Sequence, residues 1–166
     1  MRMDLIQPFI SSLDTVVAEM TKSSATIADL SMEEEGYRKK GLAAVVTFKG
    51  QIEGRIVLDM DLSVAVAVAG YLAGAEVDPS DAIVSEAVCE LANMVIGNAV
   101  TQLNDRGFQF KVFPPQVLTQ EQCEKTGQSS EATVLRFETG SGNVHLNVAL
   151  HYHARRGRER STVSVG

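Results

Sequence analysis

Ser85-Glu86-Ala87-Val88-Cys89-Glu90-Leu91-Ala92-Asn93-Met94-Val95-Ile96-Gly97-Asn98 is the stretch around which the chain is organised. Ser80 is placed to cap a helix start, Asp81 falls in its first turn, and Gly107 lies just past its end, so one long helix is predicted. Val84, Val88, Leu91, Ala92, Val95, Ala99 and Leu103 recur at helical spacing and form its buried stripe. Glu86, Glu90, Asn93 and Gly97 follow one another at steps of four, three and four on the opposite side. Glu90 and Asn93 are therefore neighbours one turn apart on a surface facing solvent.

Glutamate on an exposed helix face is ordinary. Asparagine and glycine are not: Asn lowers helix propensity, and Gly costs about 1 kcal/mol against Ala. A helix built only for stability would carry Ala, Lys or Gln at positions 93 and 97. Gly97 also lowers the surface beside Asn93, where another molecule could approach. No Lys or Arg lies along this face to pair with its carboxylates; Arg106 comes only at the end.

Outward from that helix, 166 residues bound the chain to one domain with a sizeable core. A composition 45% hydrophobic and 22% charged is globular. The net charge of -6 argues against general nucleic-acid binding. No secretory leader precedes the first helix, no run approaches the ~20 apolar residues of a membrane span, and Cys89 and Cys123 are far apart. A reduced cytoplasm is the expected compartment.

Residues 4–20 predict an amphipathic helix with Leu5, Ile6, Phe9, Ile10, Leu13, Val16, Val17 and Met20 on one face and Pro8 in its first turn. A short strand is predicted over 25–32, with Ile27 and Leu30 one position out of phase, then a charged connector over 33–40. Strands over 42–48 and 55–60 flank a loop bearing Gly50 and Gly54. A short helix, capped by Asp61 or Ser63 and ended by Gly74, precedes the central one. A strand over 108–113 stops at Pro114-Pro115, a polar loop covers 119–130, and a last hairpin pairs 132–139 with 143–153. Val144, Leu146, Val148, Leu150 and Tyr152 alternate with His145, Asn147, Ala149, His151 and His153, which predicts a half-buried strand. The fold class expected is α+β, a two-layer domain with an antiparallel sheet covered by helices on one face, over residues 1–153. Residues 154–166 form an Arg-rich tail expected to be disordered.

Most familiar chemistries lack their residues. His145, His151 and His153 share a strand face, but no Cys, Asp or Glu in that strand completes a metal set, so no metal site is assigned. Cys89 is embedded in the helix and Cys123 has no nearby Arg, so neither suits a thiolate nucleophile. No phosphate-binding glycine loop and no serine elbow is present. What remains is a carboxylate and a carboxamide on an open helix face. Such a pair is useful where the reactive group is brought by a partner: the amide can fix a water in line with an electrophile, and the Glu can pair with a partner lysine.

Glu90-Leu91-Ala92-Asn93 followed by Met94-Val95-Ile96-Gly97-Asn98 resembles the signature helix of the CheC/CheX/FliY chemotaxis phosphatases. Phe113-Pro114-Pro115 is similar to the proline-bearing strand end after that helix, and Gln7-Pro8-Phe9-Ile10 to the opening of the CheX type. A single such helix per chain also points to CheX. The resemblance implies a phosphatase acting on the aspartyl phosphate of a CheY-type response regulator. It implies that Asn93 orients the attacking water and Glu90 pairs with the regulator's lysine, with Glu86 and Gly97 on the partner-binding face. It implies no cofactor of the chain's own, Mg²⁺ carried by the phosphorylated regulator, and a homodimer formed partly through sheet edges. Glu86 stands where Asp or Ser is usual, which bears on partner choice. The competing expectation is a non-catalytic dimeric adaptor that binds a receiver domain, or a flagellar or signalling partner, through the same face.

Overall fold

The computed structural model describes residues 3–33, 39–118 and 132–153. The elements run α1 (Met3–Thr21), β1 (Thr26–Glu33), β2 (Leu42–Gly50), β3 (Ile52–Met60), α2 (Leu62–Ala73), α3 (Ile83–Asp105), β4 (Phe110–Val112), β5 (Gln116–Val117), β6 (Ala132–Thr139) and β7 (Gly142–Tyr152). All pairings are antiparallel, in the order β1-β6-β7-β3-β2-β4, and β5 also pairs with β2. One face of the sheet, through Phe48, Ile56, Leu58, Leu135, Phe137, Leu146 and Val148, shares a core with all three helices. This is the expected two-layer α+β architecture. The charged connector (34–38), the polar loop with Cys123 (119–131) and the tail (154–166) lie outside the described residues.

Every apolar side chain assigned to the face of α1 is buried, from Leu5 to Met20. Pro8, however, sits in the second turn rather than the first. It has no N–H to give the carbonyl of Asp4, four residues before. That carbonyl instead accepts from Arg106 Nη1 at 3.1 Å, across from the end of α3. A second bond joins the same helices, from Ser12 Oγ to the carbonyl of Val95 at 2.7 Å. The pairings 12 with 95 and 4 with 106 show that α1 runs antiparallel to α3.

The register explains the phase slip in β1. Ile27 lies opposite Phe137 and Leu30 opposite Leu135, with a shift between Ile27 and Asp29, so one extra residue returns Leu30 to the face of Ile27. The β2–β3 connection is tighter than expected, since β2 reaches Gly50 and β3 begins at Ile52. Gly54 is thus within a strand. Its φ is 132°, and a Cβ there would lie 2.0 Å from the carbonyl oxygen of Ala149 on β7, so only glycine allows β7 to approach. The proline pair does not end the sheet edge but divides it into β4 and β5; the two-residue β5 was too short to carry a period in sequence.

β7 departs most from expectation. It is buried from Val144 to Leu150 on both faces: Val144, Leu146, Val148 and Leu150 join the core shared with the helices, and on the other face Asp59 and Arg55 of β3 lie beside His145 and Asn147. The polar face of the sheet carries buried Arg55, Asp59, His145 and Asn147 beside an apolar cluster of Ala43, Val45, Val57 and Leu118. Arg55 Nη1 donates to Asn147 Oδ1, and Asp59 accepts from the backbone N–H groups of Lys40 and Gly41. Burial pushes the imidazole of His145 below the ordinary histidine value; Lys40 acts in the same direction, Asp59 and Asp61 oppose it, and Arg136 adds a smaller lowering.

A folded-state histidine pKa below the unfolded one makes the unfolded chain the better proton acceptor. The contribution is then complete above the unfolded value of about 6.5 and is lost as pH falls through that value towards the folded one. The melting temperature should therefore fall between pH 7 and pH 5 with a component that His145→Gln removes. A histidine ring resonance of residue 145 titrating at or above the ordinary value would contradict this.

Candidate functional site

α3 starts from two aspartates, not from Ser80. Asp78 Oδ1 accepts both the backbone N–H of Ser80 at 2.8 Å and its hydroxyl at 2.6 Å, which ties Ser80 into the preceding turn. Those hydrogen bonds hold the Asp78 carboxyl below its usual range. Asp81 Oδ1 takes the capping role by accepting the N–H of Ile83 at 3.0 Å. At the far end Gly107, with φ 94°, donates to the carbonyl of Asn104, and Phe108 donates to that of Leu103. This pair of bonds is a Schellman termination and accounts for the glycine predicted there.

The predicted stripe is buried in full, joined by Ala87 and Ile96. By length and composition α3 could cross a bilayer, but its apolar flank is taken up by the sheet, α1 and α2, the arrangement of a core helix. Its opposite flank presents Glu86, Glu90, Asn93 and Gly97, all exposed. The structure thus brings the four sequence-assigned residues onto one open face. Among the described residues, none hydrogen-bonds or ion-pairs with the side chain of Glu86, Glu90 or Asn93.

Among the described residues nothing gives Gly97 a structural reason. A Cβ at this position would meet no atom within 4 Å, and its φ is not positive. Its cost to the helix therefore goes unrepaid by packing. Thr101 donates its hydroxyl to the carbonyl of Gly97 at 3.0 Å, a back-bond that adds a second polar contact at that turn. A threonine four residues after a mid-helix glycine is the signal of this bond in the sequence.

One side of the face is bordered by β5. The backbone N–H of Val117 hydrogen-bonds the sulfur of Cys89, although burial dominates and pushes that thiol up. A half-buried thiol held protonated is a poor nucleophile, in line with the exclusion of thiolate chemistry. The three histidines do not converge. His145 is buried, whereas His153 Nε2 lies 2.6 Å from Glu53 Oε2. Among the described residues no group of three or more His, Cys, Asp or Glu side chains could hold a metal ion. The face can therefore offer hydrogen bonds, negative charge and shape, and no reactive group of its own.

No curated protein sequence matches the chain. Solved structures of the same fold do. A CheC-like superfamily protein from Shewanella sp. PV-4 is 21% identical, with a TM-score of 0.78 over 91% of this chain and 99% of that one. The chemotaxis protein CheX from Vibrio vulnificus is 19% identical, with a TM-score of 0.74 over 89% and 99%. CheX in the CheX-CheY-BeF3-Mg²⁺ complex from Borrelia burgdorferi is 29% identical, with a TM-score of 0.66 over 90% and 99%. The sequence model of the family described as chemotaxis phosphatase CheX matches residues 42–138, which span β2 to β6 and hold the whole of α3. Because that match takes in more than half of its residues, the chain belongs to the CheX family of chemotaxis phosphatases.

Proposed function

We propose that this chain hydrolyses the aspartyl phosphate of a CheY-type response regulator, using α3 as an inserted positioning surface. The observation that carries the reading is the exposed Glu90–Asn93 pair beside Gly97, a residue whose cost to the helix no contact within the chain explains. The carboxamide of Asn93 donates to and accepts from a water, holding it in line with phosphorus. The water oxygen bonds to phosphorus as the bond from phosphorus to the aspartyl oxygen breaks. The aspartate leaves as carboxylate and the water proton leaves on phosphate. Glu90 pairs with a lysine of the regulator, which sets the register of docking, and Glu86 adds negative charge to the same face. The Mg²⁺ is carried by the regulator; in the Borrelia complex, CheX is found with CheY, BeF3 and Mg²⁺. The catalytic unit is residues 1–153.

The protein acts as a homodimer. β1 ends the sheet, and its Ile27, Leu30 and Met32 are each about half exposed, which suits pairing with a second copy.

Asn93→Ala should slow stimulated dephosphorylation by about 100-fold, the scale of a lost positioning group, while leaving the melting temperature unchanged or slightly raised. The lifetime of the phosphorylated receiver, with wild type, with the variant and with neither, checks this. Binding without any change of lifetime would identify an adaptor instead. Glu90→Gln should act on association, raising KM about tenfold at low salt, an effect that fades as salt is added.

Gly97→Ala separates stability from function. The added methyl meets nothing in this chain, so the helix should gain about 1 kcal/mol. The same methyl stands on the docking face and should weaken receiver affinity. A variant both more stable and equally tight would show that Gly97 has no part in docking.

A further inference from the structure

A site whose contribution is position depends on whatever holds its helix in place. Burial of the α3 stripe fixes the rotation of the helix, but apolar contacts are non-directional and resist sliding and tilting less well. Two polar ties to α1 act on those freedoms: Ser12 Oγ to the carbonyl of Val95, and Arg106 Nη1 to the carbonyl of Asp4. They lie about 16 Å apart along α3, eleven residues at 1.5 Å each.

Ser12 is the less expected of the two. It is 3% exposed on the apolar face of α1, among Phe9, Leu13 and Val16, where alanine would fill nearly the same space without a hydroxyl to satisfy. Its acceptor lies in the turn between Asn93 and Gly97. Gly97, the least helix-favouring residue of α3, is also the point where that helix deforms most easily. The tie therefore falls where the helix most needs one.

We propose that Ser12 is a positioning residue for the phosphatase reaction: its bond to the Val95 carbonyl holds the Glu90–Gly97 turn at a fixed height and tilt, so that the Asn93 carboxamide meets the water at the receiver phosphate. This rests on the function proposed above and adds a residue on a different helix, on the side of α3 away from the partner.

The test compares wild type, Ser12→Ala, Ser12→Cys, Ser12→Thr and Asn93→Ala as full-length proteins with a phosphorylated CheY-type receiver, measuring kcat, KM and melting temperature for each. Val134→Ala, on the far face of the sheet, serves as a control for loss of stability alone. Ser12→Ala should lower kcat about tenfold with KM within about twofold, because the docking face itself is unaltered. Ser12→Cys, a weak donor of similar size, should fall between, and Ser12→Thr, which keeps the hydroxyl, should recover most of kcat. Val134→Ala should melt lower at unchanged kcat. If Ser12→Ala does not fold, the order of wild type, Ser12→Thr and Ser12→Cys carries the comparison. An unchanged kcat in Ser12→Ala, or in Ser12→Cys where Ala does not fold, with Asn93→Ala inactive, overturns the positioning role and leaves the phosphatase reading standing. A wild type that binds the receiver without shortening its phosphate lifetime overturns that reading and this inference with it.

Discussion

The constraint on which the rest of the molecule depends is the buried flank of α3. Nine side chains from Val84 to Leu103 lie against the sheet, α1 and α2, each at most 5% exposed. Burying a Val, Leu or Ile contributes about 1.5–3 kcal/mol, whereas choices on the exposed flank differ by about 1 kcal/mol or less. The buried flank therefore decides the rotation of the helix, and the exposed flank follows from it. Asn93 and Gly97 can be poor helix residues because burial of the neighbours at 91, 92, 95, 96 and 99 offsets what they cost in helix propensity. The fold thus leaves one strip of α3 free to be chosen for function.

The same constraint reaches into α1. A proline in the second turn would ordinarily leave a carbonyl without its helical donor, yet the antiparallel packing of α1 on α3 brings Arg106 to that carbonyl. Pro8 and Arg106 are nearly a hundred residues apart in sequence and resolve one local deficit together. Ser12 and Val95 make the second tie between the helices. Local strain on one helix and placement of the other are consequences of a single packed seam.

Much of this was legible in sequence, and the failures share a cause. The stripe on α3 and the face of α1 are periodic signals within one element, and they predict which side is buried; Gly107 marks a helix end by residue type alone. Position of an element within a sheet is not periodic. The alternation of β7 predicts a half-buried strand, because nothing local reveals that the polar side chains packed on its second face, Arg55 and Asp59, come from β3, about ninety residues earlier. Ser80 has the residue type of a cap, but Asp78, two residues before it, holds its hydroxyl. The second-turn place of Pro8 is not legible locally, because the donor that relieves it lies at the C-terminal end of α3. The site residues were legible for the opposite reason: Glu90, Asn93 and Gly97 break local preferences on an exposed face, and such breaks are visible without tertiary knowledge.

An exposed face of this kind suits the proposed reaction, whose electrophile, metal and leaving group would all belong to the partner. In the proposed reaction, selectivity comes from the fit of the whole face, with Glu86 and Glu90 supplying charge and Gly97 the room for approach. On the same proposal, rate depends on how well the backbone of α3 places Asn93 when the partner arrives. A rigid helix supplies firmness better than a loop, because each backbone group is already bonded and no ordering is needed on docking. The burial of one flank of α3 and the openness of the other are therefore two sides of one requirement of the proposed reaction: a carboxamide fully presented from a backbone that is held in place.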